Sequence, residues 1–186
     1  MAIKLKVAGQ LPFAEVSQKI EGAKKLLVIG CRSYAPKELK NLRQQYIKIL
    51  QNDTQDKLKA ELQKLQLEGD ATTDEFYIQQ HMLLEQLTAI AEEQDIATLV
   101  FYKSQVTHLR DVVITVEEEG SDNIRTITVD DTRKATPIES LWSTSQECLA
   151  VLLDVYFEYP GLSDSLIKTI GDSIFQNKKQ VDRVKN

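Results

Sequence analysis

The stretch LRDVVITVEEEGSDNIRTITVDD, residues 109–131, constrains the fold more than any other. Val112, Ile114 and Val116 alternate with polar or β-branched neighbours. Gly120–Ser121–Asp122–Asn123 supplies turn chemistry, and Ile127 and Val129 alternate on the return. Period-two alternation on both sides of a Gly/Asn/Asp cluster predicts a β-hairpin.

Two further strands are expected upstream. Ile3, Leu5 and Val7 alternate with Lys4 and Lys6, as in a half-buried strand. Leu26, Leu27, Val28 and Ile29 form a second strand-like run after Gly22. The two are expected to pair as a hairpin, with Pro12 and Glu21–Gly22 as breakers in the connection. From SYAPKELKNL onward the period lengthens. Leu39, Leu42, Tyr46 and Ile49 recur at three and four, Asn52–Asp53–Thr54 interrupts, and Leu58, Leu62 and Leu65 resume the stripe until Gly69–Asp70. Thr72-x-x-Glu75 reads as a capping box for a helix that runs to about Tyr102. Residues 51–95 are rich in Gln, Glu and Lys on the opposite face. A solvated charged face is the simple reading of that hairpin, and partner binding along its stripe is the alternative.

Helix returns in the last third. Thr136–Pro137 marks its start. Leu141, Trp142, Cys148, Leu149, Leu152, Leu153 and Tyr156 form a broad apolar face that ends at Pro160–Gly161. Leu162, Leu166, Ile167 and Ile170 then continue the apolar surface. The order β, α-rich, β, α-rich predicts a single α+β domain over residues 1–186. Its small antiparallel sheet combines the N-terminal strands with the central hairpin. A long helical hairpin is inserted at 51–95, and residues 176–186 form a flexible polar tail.

Composition narrows the function classes. Apolar residues are 42% and charged residues 27%, as in ordinary globular proteins rather than disordered tails. A net charge of −5 argues against nucleic-acid or anionic-membrane partners, which need clustered Lys and Arg. No apolar run approaches the roughly 20 residues that span a bilayer. The opening MAIKLKVAGQLPF lacks the apolar core of a signal peptide, so a cytoplasmic protein is expected.

No catalytic, cofactor-binding or metal-ligating set emerges. The seven glycines form neither Gly-x-Gly-x-x-Gly nor a Walker loop. His81 and His108 stand outside metal spacing and read as surface residues. Cys31 and Cys148 read as small buried hydrophobes. Glu117, Glu118 and Glu119 are consecutive near a strand end, so their side chains alternate and do not converge. Trp142, Tyr156, Phe157 and Tyr159 are the more informative group. Aromatics at such spacings usually belong to a core, yet beside a helix break they also suit a groove for another chain.

The layout resembles the tail assembly chaperones of long-tailed bacteriophages. The likeness is carried by LLVIGCRSYAPKELKNL, by the acidic hairpin VITVEEEGSDN, and by LAVLLDVYFEYPGLSDSLIKTI at residues 149–170. The insertion at 51–95 is longer than in that family, and Trp142 follows the Gly hairpin where the family often has a Trp before it. The resemblance implies a non-catalytic protein of the host cytoplasm, absent from the mature virion and without cofactors. It would bind the tape measure protein, keep it soluble and help recruit tail tube subunits. The family often makes a frameshifted, extended product, and Asn177–Lys178–Lys179 is the place to look for slippery codons. The partner surface expected on this basis comprises Leu162, Leu166, Ile167 and Ile170, with Tyr156 and Phe157 at its edge and Trp142 beside them. A virion tail component (terminator, connector or tube protein) is the rival reading. The long acidic hairpin is expected to act as an arm or as a seam for homo-oligomers.

Overall fold

The computed structural model describes residues 13–20, 25–117, 124–134, 142–159 and 161–175. In chain order the elements are β1 (Ala14–Gln18), β2 (Leu27–Cys31), α1 (Pro36–Leu50), α2 (Asp53–Glu68), α3 (Asp74–Lys103), β3 (Val106–Glu117), β4 (Ile124–Asp131), α4 (Ser145–Glu158) and α5 (Leu162–Phe175). The strands make one antiparallel sheet in the order β1-β2-β3-β4. The fold is α+β, as the alternation of periods predicts. The chain divides into two compact units, Met1–Lys37 with Tyr102–Asn186, and Glu38–Phe101.

In the first unit the β3–β4 hairpin stands where the sequence places it, with Val112 opposite Val129 and Ile114 opposite Ile127. The expected turn at 120–123 lies outside the described residues, as do the strand expected at 3–7 and the tail at 176–186. The partner of β2 is instead β1, in the register Val16↔Ile29. The AEVSQ stretch alternates half-buried Ala14, Val16 and Gln18 with exposed Glu15 and Ser17. That is a strand period carried by a largely polar composition.

One face of the sheet packs on α4 and α5. Leu27 and Ile29 of β2, Val106 and Leu109 of β3, Leu153, Tyr156 and Phe157 of α4, and Leu166 and Ile170 of α5 line a void of about 10 Å³. That is at or below the space a single water needs. Each such buried Leu, Ile or Phe contributes about 1.5–3 kcal/mol relative to exposure. Two hydrogen bonds fix α5 to the sheet: Gln18 Nε2 donates to Ser165 Oγ at 2.7 Å, and Thr169 Oγ1 donates to Gln18 Oε1 at 2.8 Å.

The helix start expected at Thr136–Pro137 lies outside the described residues, and helix α4 itself begins at Ser145. Thr144 caps it, accepting from Glu147 N at 3.0 Å, while the Glu147 carboxylate accepts from Ser143 N at 2.7 Å. This reciprocal arrangement satisfies two amides at the helix start. Trp142 therefore precedes the helix and does not share its apolar face.

The second unit is a helical hairpin that takes in most of α1 and is broader than residues 51–95. Asn52 caps α2 through its side chain, which accepts from Thr54 N and Gln55 N. At the far turn Thr73, not Thr72, caps α3: its hydroxyl accepts from Phe76 N, whereas the Thr72 hydroxyl donates to Asp70 Oδ1. The Phe76 ring lies so close to Gly69 that a Cβ there would sit 2.6 Å from it, so the reversal needs glycine.

Candidate functional site

The seven residues expected at a partner surface separate into two groups. Leu166 is 2% exposed and Ile170 is 0%; Tyr156 and Phe157 are buried with them. These four line the void against the sheet and belong to the core, which corrects the expectation of an exposed surface. A short apolar helix has to bury its face somewhere, and α5 does so on its own β2 and β3. Leu162 and Ile167, also on α5, are half-buried, as is Trp142. Burial pushes the Tyr156 hydroxyl up to about 12, and among the described residues that hydroxyl has no partner.

His81 is exposed, but His108 is fully buried, contrary to the expectation of two surface histidines. Two features of the sheet place it. Gly30 leaves room for the imidazole on β3: a Cβ at Gly30 would lie 2.1 Å from His108 Cε1. The register between β2 and β3 also shifts at Gly30/Cys31, so Thr107 is the extra residue. Thr107 Oγ1 sits 2.9 Å from His108 Nδ1 and donates to the Gly30 carbonyl at 3.1 Å. His108 Nε2 lies 3.0 Å from Glu15 Oε1, so that nitrogen carries a proton toward the carboxylate. Arg110 Nη2 donates to the other Glu15 oxygen at 2.6 Å. The His108 hydrogen bond is the largest cause holding the Glu15 carboxyl below its ordinary range, and Arg110 adds to it. Phe13 packs edge-on to the imidazole at 4.6 Å. The carboxylate–imidazole–hydroxyl order is that of a nucleophile relay. Here the hydroxyl is engaged with a main-chain carbonyl, and the group ties three strand positions together.

Cys31 and Cys148 are buried free thiols. Burial pushes the Cys31 thiol up to about 11, which makes it a packing group rather than a nucleophile. Among the described residues no group of three His, Cys, Asp or Glu side chains is placed to hold a metal ion. No described helix is long and apolar enough to cross a membrane.

The helical unit presents a different surface. Along α3, positions 76, 80, 83, 87, 90, 94, 97 and 101 are more buried than most of their neighbours and recur at alternating spacings of four and three. This heptad seam faces α2 and then α1. Tyr46 of α1 packs on Phe101 at 5.1 Å, and Gln94 Nε2 donates to the Leu50 carbonyl at 3.2 Å. A helix of this length extends about 45 Å.

A second apolar stripe lies roughly a third of a turn round α3 from the seam. It comprises Ile78, Met82, Ala89, Ile96 and Val100. Ile78, Met82, Ile96 and Val100 are each more than half exposed. Met82 also forms one lip of a groove between α2 and α3, with Leu65 and Leu83 among its lining. Glu85 and Glu92, one heptad apart, fall within the stripe, and Glu93 flanks it. No Lys or Arg occurs between Lys64 and Lys103, a span that holds eight carboxylates. The sequence shows both stripes as one broad apolar helix. Which of them faces α1 and α2 is visible only once the hairpin is built. Comparison of the chain with protein-family models, with curated proteins and with solved structures returns no match to any of them.

Proposed function

We propose that this chain is a non-catalytic assembly chaperone of the kind used by long-tailed bacteriophages. It binds a long helical tape measure protein in the host cytoplasm, keeps it soluble, helps recruit tail tube subunits and is absent from the finished virion. The observation that carries this reading is the exposed heptad-spaced stripe on the 30-residue α3. A helical hairpin bearing an apolar stripe that the described residues leave exposed suits capture of an amphipathic helix that would otherwise aggregate. The acidic body favours solubility of the complex. The binding surface in this reading is α3 rather than the C-terminal helix.

A virion tail component is the second reading. It is favoured by the sheet: among the described residues no strand pairs with the outer edge of β4. An open edge is a template for ring formation by strand addition.

Co-expression separates the two. The tagged chain is produced with the product of the long reading frame downstream of its gene, and soluble co-elution is scored. A chaperone makes that product soluble and is missing from purified particles. A tail component leaves its solubility unchanged and is found in the particles.

A further inference from the structure

From the outer stripe of α3 we infer the chemistry of its occupant: an amphipathic partner helix that carries Lys or Arg at positions one heptad apart. This inference rests on the helix-capture reading above and specifies what is captured. Ile78, Met82, Ala89, Ile96 and Val100 supply an apolar strip that Glu85 and Glu92 interrupt, and the α2–α3 groove beside Met82 gives it depth. A third helix laid there completes a three-helix bundle, with apolar side chains meeting at heptad spacing.

Glu85 and Glu92 decide which helix fits. They stand within the strip, about 10 Å apart along the axis. Among the described residues Glu92 has no hydrogen bond or ion pair, and Glu85 meets only the exposed His81, at 3.4 Å. A neutral helix covering them would strip water from two carboxylates and offer nothing in return, which is costly. A helix with Lys or Arg opposite each carboxylate offsets that cost, and Glu93 and Asp95 add same-sign field along the approach. A second copy presenting its own α3 would set carboxylate against carboxylate. Anionic lipid and nucleic acid meet the same repulsion.

The test uses the full chain and two synthetic four-heptad peptides with identical Leu and Ile cores. One carries Lys at the flanking positions and the other Glu. Binding is read by fluorescence anisotropy at about 50 mM and about 500 mM salt, which changes the screening length severalfold. The Lys peptide is expected to bind at least about tenfold tighter than the Glu peptide, with the difference shrinking at high salt. E85K/E92K is expected to reverse the preference. M82E/I96E, on exposed positions, is expected to weaken the Lys peptide by at least about tenfold with unchanged far-UV circular dichroism. Equal binding of both peptides, no binding of either, or indifference to these substitutions overturns the inference. A dimer in sedimentation that M82E/I96E dissociates also overturns it, because the stripe is then covered by a second copy. The two readings fail separately. If the downstream product stays soluble with M82E/I96E, the chaperone reading stands and this surface is wrong. If the Lys peptide binds the stripe but the downstream product is not solubilised, this surface stands and the chaperone reading fails.

Discussion

Gln18 and Thr169, 151 positions apart, hydrogen bond side chain to side chain at 2.8 Å. With the 2.7 Å bond from Gln18 to Ser165, one amide at the end of β1 holds successive turns of α5. A part-buried amide with two partners contributes about 1–3 kcal/mol, since each bond nets about 0.5–1.5 kcal/mol. Gln18→Ala is expected to lower the unfolding free energy by that amount, read as a lower urea midpoint with unchanged m-value. Thr169→Val is expected to cost less, because Ser165 still engages the amide. An m-value change in either variant would mean that α5 detaches before global unfolding.

Leu166 and Ile170 provide a sharper check on the role of α5. Both are core residues facing Leu27, Ile29 and Leu109. Leu166→Ala is expected to cost about 2–5 kcal/mol through lost burial and the cavity left behind. Leu166→Asp with Ile170→Asp places two carboxylates in that core and is expected to abolish the cooperative thermal transition and near-UV signal. Retention of both signals would return α5 to the surface.

The sequence was most legible where a segment's own period matches its surroundings. The β3–β4 hairpin and the helices from Pro36 onward follow directly from spacing. Strand β1 is not legible in the same way, because AEVSQ has only Ala14 and Val16 on its apolar side and its pairing depends on Ile29 from elsewhere in the chain. The exposed stripe on α3 was obscured by abundance. Tyr77, Ile78, Leu83, Leu84 and Leu87 all appear in one short window, and apolarity alone does not say which of them meet another helix. The burial of the α5 face is hidden from the sequence for the complementary reason. The apolar face itself is evident in the sequence, but the sheet residues that cover it, Leu27, Ile29, Val106 and Leu109, lie more than fifty positions away in the chain. Gly30 was the signal for His108, since a glycine inside a strand marks a close approach from a neighbour.

Thr132 closes the β3–β4 ladder with both its backbone and its side chain. Its amide donates to the Leu109 carbonyl at 3.0 Å and its hydroxyl accepts from Leu109 N at 3.1 Å, with the residue 1% exposed. Thr132→Val keeps the shape and removes the acceptor, leaving a buried amide unsatisfied at a cost of about 1–3 kcal/mol. Thr132→Ser keeps the acceptor and is expected to cost distinctly less. Amide exchange at Leu109, followed by NMR, is expected to accelerate in the Val variant well before the Ser variant.

Acid is expected to destabilise the α+β unit through two carboxylates. Hydrogen bonds from the Arg133 guanidinium hold Asp131 down to about 2 from the ordinary 3.8, and the His108 hydrogen bond holds Glu15 below 4.5. Both folded values lie below the unfolded ones. Their stabilisation is therefore fully present above about pH 4.5 and is lost as the pH falls through the folded values, for Asp131 as far as about pH 2. Chemical denaturation at a series of pH values is expected to show that slope. Arg133→Ala is expected to flatten it between about pH 4 and pH 2. An unaltered slope in the variant would remove Asp131 from the account.

Gly30 and His108 are coupled through space, and that coupling is measurable. A methyl group at Gly30 collides with the imidazole at 2.1 Å, so Gly30→Ala must displace the ring from Glu15 and Thr107. Overpacking of this kind typically costs about 1–3 kcal/mol, and disruption of the buried polar contacts adds to it. His108→Ala alone leaves a void and removes the Glu15 contact. In the double variant the new methyl group meets open space instead of the ring. G30A/H108A is therefore expected to be more stable than the sum of the two single effects predicts, with a coupling of about 1 kcal/mol or more in a double-mutant cycle. Strict additivity would mean that the imidazole does not rest on Gly30. The bulge at Thr107 would then need another reason to exist.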